Sequence, residues 1–196
     1  MSALAPALGR TDTRILLGLA GLGGALAVRV AVAGVDGVRS VGAGLLFAVL
    51  VAAVAALTRA RLPGAPVPRA VLAGVAGAVV LCIPAAMRHA DGVMPVLPLD
   101  GYLPWAIGVV AVAVAEETLL RGSLFTALEQ RAGTIVAIAL TSVAFALLHA
   151  PLYGWTVVPL DLAVGVWLGA LRASTGSVTA PAMAHALADL AGWWLR

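Results

Sequence analysis

Only 11% of the 196 residues are charged, whereas 62% are hydrophobic and the mean hydropathy is +1.07. Soluble domains have about 45–50% apolar residues, so this composition excludes an ordinary water-soluble fold. All twelve basic residues are arginine, and the formal net charge is +3. Because the arginines are scattered at the ends of apolar segments and form no stripe, we expect a membrane protein and no nucleic-acid partner.

Seven apolar segments follow one another along the chain. They cover residues 14–35, 41–58, 69–87, 103–130, 133–150, 155–172 and 178–195. A helix needs about 20 apolar residues to cross the hydrocarbon core of a bilayer. The sequence therefore predicts an all-α fold, a polytopic membrane helix bundle with about seven transmembrane helices.

The first segment is predicted to be an uncleaved helix with its N-terminus in the cytoplasm. It ends near a small-residue stretch at 31–33 that resembles a signal-peptidase site, but it is longer than a signal core and contains Arg29. This orientation puts seven arginines on the inner side and three outside, as the positive-inside rule requires. The seven are Arg10, Arg14, Arg59, Arg61, Arg69, Arg131 and Arg172.

Ionisable residues inside the predicted spans are expensive to insert and therefore mark functional sites by default. They are Arg29, Glu116, Glu117, Arg121, His149, Asp161, His185 and Asp189. Most of them lie in the second half of the chain. Arg29 has no assignable role, and the single Cys82 is expected to pack within its apolar run.

The two adjacent carboxylates in the fourth segment are expected to have different roles. Glu117 precedes Arg121 by four residues, a spacing that places opposite charges on one helical face. Glu116 points about 100° away, because a helix has 3.6 residues per turn. We therefore expect a structural pair of Glu117 and Arg121, with Glu116 free for chemistry. A purely structural ion-pair network is the alternative.

The fifth and sixth segments contribute one histidine and one carboxylate. Phe145 lies one turn before His149 on the same face and is expected to restrict the imidazole rotamers. Asp161 can approach the level of His149, and we expect it to support that residue without taking part in the chemistry. The alternative is that His149 is a hydrogen-bonded structural residue.

The seventh segment contains His185, four residues before Asp189, so the carboxylate can accept a hydrogen bond from the imidazole. Counting about 1.5 Å per residue from the inner loops places Glu116 and His149 at one depth, about 22–25 Å. The same count places His185 and Asp189 at only about 12–18 Å. A buried structural His-Asp hydrogen bond is again the alternative.

Three motifs in this order resemble those of the CPBP, or Abi, family of CAAX-protease-like intramembrane proteases. They are Glu-Glu-x-x-x-Arg at 116–121, Phe-x-x-x-His at 145–149 and His-x-x-x-Asp at 185–189. The resemblance implies a catalytic membrane core over residues 103–196, after variable N-terminal transmembrane helices over residues 1–102. It also implies hydrolysis of a peptide bond in a membrane-associated protein.

The resemblance further implies that Glu116 and His149 activate a water molecule while His185 and Asp189 stabilise the oxyanion. The family has also been described as metalloproteases, and Glu116, His149 and His185 could instead hold one zinc ion. The cofactor therefore stays open between one divalent metal and none. Many members have Asn at position 189; an Asp there must be protonated to donate to an oxyanion, or it holds His185 as an imidazolium.

Other classes of protein also fit these residues. The main alternative is a non-catalytic membrane immunity or scaffold protein of the same fold. A small transporter is less favoured, since the sequence has no clear broken helices or repeated halves. The expected partners are membrane lipids and a membrane-associated, lipidated or C-terminal-tail protein substrate. The arginine-only, Ala/Gly/Val-rich composition suggests a bacterial inner membrane.

Overall fold

The computed structural model describes residues 9–34, 40–58, 68–89 and 101–195, which are helical except for short turns. The helices are α1 (Arg10–Ala33), α2 (Val41–Leu57), α3 (Pro68–His89), α4 (Tyr102–Glu117), α5 (Phe125–Ala132), α6 (Thr134–Tyr153), α7 (Val158–Thr175) and α8 (Thr179–Ala191). A π-helical segment, Thr118–Leu124, joins α4 to α5 without a break. The described residues thus form seven helical rods at the positions of the seven predicted segments.

Four of these rods are long and apolar enough to cross a membrane. They are Arg10–Ala33, Tyr102–Ala132, Thr134–Tyr153 and Trp155–Thr175, the last including the 3-10 turn Trp155–Val157. Shorter apolar helices cover Val41–Leu57 and Pro68–Pro84. The predicted helical membrane bundle is confirmed, although α8 ends at Ala191, earlier than the predicted boundary at 195.

Helix α8 packs against α3, α4 and α7, while α2 packs against α1 and α4. The approach of α3 to α8 is close because Gly74 has no side chain. A Cβ atom at Gly74 would lie 2.7 Å from the Cβ of Met183 and 2.9 Å from the carbonyl oxygen of Ala180. This packing places the face of α8 that carries His185 towards α4.

The turn between α7 and α8 lies deeper in the bundle than the turn between α5 and α6. Arg172, near the end of α7, is 7% exposed and donates from Nε to the carbonyl oxygen of Arg121 at 2.9 Å. Arg121 lies eleven residues, or about 16 Å, before Ala132, whereas Gly176 in the α7–α8 turn lies only about 6 Å beyond Arg172. The α7–α8 turn is therefore about 10 Å further inside than the end of α5.

This offset corrects two of the expectations. Arg172 is buried between helices, with its guanidinium 5.1 Å from the ring of Phe125, and does not lie in an inner loop. Because α8 starts deep, His185 reaches the level of Glu116, and the shallow depth counted from Ser177 was wrong. Arg59 and Arg61 lie outside the described residues, and the cytoplasmic N-terminus stays a prediction.

Candidate active site

A cavity of about 660 Å³ lies among α1, α2, α4, α6 and α8. The four residues predicted to be catalytic, Glu116, His149, His185 and Asp189, all line it. They come from three separate helices. Much of the remaining wall is apolar, and its members include Val109, Val112, Trp105 and Trp193. The fold therefore gathers the motif residues around one space that is large enough for part of a peptide.

The adjacent carboxylates of α4 face different surroundings, as their spacing predicts. Glu116 lines the cavity and is 2% exposed, and its Oε2 has no hydrogen-bond partner among the described residues. Glu117 is fully buried behind it, and its Oε1 accepts from Arg121 Nη1 at 2.8 Å and from His185 Nδ1 at 3.1 Å. One carboxylate is thus held by the fold, whereas the other is directed at the cavity.

Arg121 joins three parts of the bundle. Besides its ion pair with Glu117, it donates from Nη2 to the carbonyl oxygen of Gly165 at 3.0 Å. Its guanidinium also lies 5.0 Å from the centre of the Phe145 ring. Both side chains of the ion pair are fully buried, so the predicted pair exists and links the π-helical segment to α6 and α7.

The π-helical segment Thr118–Leu124 begins directly after the two glutamates. A π-helix has more residues per turn than an α-helix, and such insertions occur frequently at functional sites. The apolar pattern of this stretch gave no signal for it, because every residue from Thr118 to Leu124 is buried. The segment carries Arg121 into position behind Glu117.

The orientation of His149 is set by its own helix. Its Nδ1 lies 2.9 Å from the carbonyl oxygen of Phe145, and since a carbonyl can only accept, Nδ1 carries a proton. In the neutral ring Nε2 is then the unprotonated nitrogen. The rings of Phe145 and Tyr153 flank the imidazole at centroid distances of 4.6 and 5.7 Å. Tyr153 was missed by sequence reasoning, although its i, i+4 spacing from His149 could have indicated it.

Asp161 lies near His149, as expected, but not in hydrogen-bond contact. Its Oδ2 is 3.9 Å from Nδ1, a nitrogen that is already bonded to Phe145. The two side chains are partly exposed, at 17% for His149 and 19% for Asp161. The carboxylate can therefore influence the imidazole through its charge and not through a direct hydrogen bond.

His185 lies between two carboxylates. Nδ1 is 3.1 Å from Glu117 Oε1, and Nε2 is 3.4 Å from Asp189 Oδ2. The predicted partner, Asp189, is thus the more distant one, and its side chain is 45% exposed where it borders the cavity. Sequence reasoning missed the contact with Glu117, because it treated Arg121 as the full partner of that carboxylate. Both ring nitrogens can donate together only when the ring carries two protons.

The donors of the cavity do not fit a zinc site built from Glu116, His149 and His185 in this arrangement. A zinc ligand needs a free nitrogen lone pair; His149 offers one at Nε2, but both nitrogens of His185 face carboxylates. Across residues 9–34, 40–58, 68–89 and 101–195, no group of three or more His, Cys, Asp or Glu side chains could hold a metal ion. We therefore derive no step that depends on zinc.

Two further features of the cavity had no role assigned from the sequence. Arg29, on α1, lines the wall and is 7% exposed. Trp105 and Trp193 lie on the same wall with ring centroids 4.8 Å apart, and Tyr102 packs against both. Tryptophan near the ends of spans is typical of membrane–water interfaces, and this signal could have located the aromatic cluster.

Residues 98–191 match a family model described as type II CAAX prenyl endopeptidase, Rce1-like. The matched range contains all three motifs, so the resemblance to the CPBP intramembrane proteases is confirmed. No curated protein and no solved structure matches the chain.

Proposed function

We propose that this chain, whose residues 98–191 match the model of the Rce1-like type II CAAX prenyl endopeptidases, hydrolyses a peptide bond with a water molecule activated by Glu116. One observation carries the proposal. Glu116 is a buried carboxylate whose Oε2 is unpartnered among the described residues, on the wall of a cavity of about 660 Å³. A buried carboxylate without a partner is destabilising unless a ligand or water uses it.

The first step places Glu116 as the general base. Its carboxylate accepts a proton from water while the water oxygen adds to the carbonyl carbon of the scissile bond, which produces a tetrahedral oxyanion. His149 positions the same water, because its Nδ1 is committed to the Phe145 carbonyl and Nε2 is left to accept a hydrogen bond. Glu116 then returns the proton to the leaving nitrogen as the carbon–nitrogen bond breaks.

In this proposal His185 stabilises the oxyanion by donating a hydrogen bond. Glu117 holds the imidazole through Nδ1, while the contact of Nε2 with Asp189 is long, at 3.4 Å. A protonated Nε2 can therefore turn its hydrogen bond towards an oxyanion in the cavity. A donor fixed in place before the reaction, in a site that excludes most water, is especially effective at stabilising such charge. In this scheme Glu117, Arg121, Phe145 and Asp161 position the reacting groups.

The predicted orientation of the chain indicates towards which face of the membrane the cavity opens. With the N-terminus in the cytoplasm, α2 and α4 begin and α8 ends at the outer face. The lining residues Ser40, Gly101 and Trp193 lie at these helix ends. We therefore propose a lipid-surrounded enzyme of the bacterial inner membrane whose substrate is a membrane-associated protein, reached from the outer side.

The non-catalytic scaffold hypothesis has one observation in its favour. The pairing of Glu117 with Arg121 and His185 ties α4, α7 and α8 together, as a purely structural protein would need. It does not explain Glu116, whose burial adds an unpaired acid to a cavity wall and no tie between helices.

The test uses the full chain purified in detergent and a panel of membrane-segment and prenylated peptides. We compare the wild type with Glu116→Gln and His149→Ala, each with and without a chelator. Glu129→Gln is the matched control, because Glu129 makes a hydrogen bond to Thr134 on α6 and does not line the cavity.

Cleavage that both cavity variants abolish, that Glu129→Gln retains and that the chelator leaves unchanged would support the glutamate-activated water. Loss on chelation with rescue by zinc would overturn it in favour of a metalloprotease. If folded wild-type protein cleaves no peptide, either the panel lacks the substrate or the scaffold hypothesis gains, and a cavity that water does not reach would decide for the scaffold.

A further inference from the structure

The π-helical segment Thr118–Leu124 deprives one carbonyl oxygen of its usual donor. In an α-helix the backbone N–H of Phe125 would donate to the carbonyl oxygen of Arg121, one turn earlier. Here that N–H donates instead to the carbonyl oxygens of Leu120 and Gly122. Arg121 is fully buried, and a buried backbone carbonyl without a donor lowers stability. The segment therefore needs a donor from another part of the bundle.

Arg172, on α7, supplies that donor. Its Nε donates to the carbonyl oxygen of Arg121 at 2.9 Å, and its guanidinium lies 5.1 Å from the centre of the Phe125 ring. The side chain is only 7% exposed, and a buried guanidinium inside a membrane protein is costly unless it is paired. Both contacts are made where the π-helical segment ends. They favour this segment over a continuous α-helix, because in an α-helix Phe125 would already occupy the Arg121 carbonyl oxygen.

The π-helical segment sets how α4 is rotated relative to α5. Each residue of a helix turns the chain by about 100°, and a π-helical turn contains an extra residue. If the segment became α-helical, α4 and α5 could not both keep their present faces. The face of α4 that carries Glu116 lines the cavity, whereas another face lines a separate apolar groove beside α2. A rotation of about 100° would therefore turn Glu116 out of the cavity wall.

We infer that Arg172 is a positioning residue of the proposed enzyme. By donating to the Arg121 carbonyl oxygen it holds the π-helical segment, which keeps Glu116 in the cavity wall. Arg172 does not line the cavity, so it acts through the backbone of α4 and α5 and does not touch the substrate. The inference rests on the proposed function where cleavage is measured, and it adds to that function a residue outside the three motifs.

The test measures peptide cleavage by the full chain in detergent for the wild type, Arg172→Met and Arg172→Lys. A misplacement of about 1 Å can lower a rate about 10²-fold, so Arg172→Met should lower kcat on that order and change KM much less. Arg172→Lys keeps a charged donor and should retain more of kcat. Gly169→Ala is the matched control, because its Cβ would lie 3.1 Å from Ile138 and disturb α7 one turn before Arg172. It should keep the kcat of the wild type.

Three results would overturn the inference. The first is a folded Arg172→Met variant with the kcat of the wild type. The second is an equal loss of kcat in Gly169→Ala, which would assign the effect to loosened packing of α7. The third is a rise in KM at unchanged kcat, as a residue in contact with the substrate would give. If Arg172→Met does not fold, Arg172→Lys takes its place and should still lower kcat more than Gly169→Ala does.

A labelling measurement separates this inference from the proposed chemistry, because it reports the rotation of α4 without turnover. In a Cys82→Ser background, which has no other cysteine, Val112→Cys places a thiol on the cavity wall and Ala113→Cys places one at a fully buried position. A small water-soluble thiol reagent should react at position 112 and not at position 113. Adding Arg172→Met should remove this difference, even if the wild type cleaves no peptide. An unchanged difference overturns the inference even if cleavage falls.

Discussion

The two sides of helix α4 at positions 116 and 117 differ in how completely their polar groups are paired. Behind the cavity, Glu117 accepts two hydrogen bonds and Arg121 donates two, although Glu117 Oε2 and Arg121 Nε have no partner among the described residues. On the cavity side, Glu116 Oε2 and Arg29 Nε also have no partner, and among the described residues neither side chain is held by a buried ion pair like the one that joins Glu117 to Arg121. In the proposed scheme, the groups joined by ion pairs hold helices together, whereas Glu116 acts on the substrate.

The physical basis is the asymmetry of buried hydrogen bonds. A buried hydrogen bond with both partners present contributes only modestly to the stability of the fold. A buried polar group without a partner lowers that stability by about 1–3 kcal/mol, and by more if it is charged. A protein tolerates such groups where a ligand supplies the missing partner.

The largest expected effect is the loss of peptide cleavage when Glu116, and not Glu117, is replaced. Removing a general base typically lowers a rate by about 10²- to 10⁴-fold, so Glu116→Gln should lose cleavage by that factor. It should also keep or raise the thermal unfolding temperature, because a neutral amide is less costly to bury. Peptide cleavage and thermal unfolding in detergent measure the two effects on one preparation.

Glu117→Gln is the matched variant and should mainly lose stability, since it leaves Arg121 as a buried cation without its carboxylate. If Glu116→Gln instead prevents folding while Glu117→Gln changes nothing, the division of roles between the two residues is wrong.

The second expected effect concerns the cation of the buried pair. Arg121→Met removes hydrogen bonds to Glu117 and Gly165, and losing one partner of a buried ion pair costs about 3–5 kcal/mol. The free energy of unfolding in detergent should fall by that amount. Arg131→Gln breaks the exposed pair with Asp12, whose side chains are 66% and 38% exposed, and should cost less than about 1 kcal/mol. Similar losses in both variants would refute the importance of the buried network.

The smallest expected effect tests the packing that supports this network. A Cβ atom at Gly165 would lie 2.9 Å from the backbone Cα of Ser142, so Gly165→Ala must separate α6 from α7. Overpacking of this kind costs about 1–3 kcal/mol. Gly24→Ala is the control, since no atom lies within 4 Å of a Cβ there. A Gly165→Ala variant as stable as the control would show that the helix contact is loose.

Much of the site could be predicted from local spacing. The i, i+4 pairs of Glu117 with Arg121 and of His185 with Asp189 follow from helical geometry alone, and both occur. The contact of His185 with Glu117 could not be predicted, because it spans 68 positions and depends on the depth at which α8 begins. A count of residues from a loop fails when the loop itself lies inside the bundle.

The membrane environment, the seven helical segments and the motif residues can all be predicted from the chain, because hydrophobic length and helical periodicity are local properties. Which of the buried charges form pairs depends on the packed fold. Pairing depends on the relative depth of helices that are distant in sequence, as the turn after Arg172 and the π-helical segment show. The packed fold also brought Arg29 into the wall that holds Glu116, since packing of α1 against the bundle leaves no local signature in the chain.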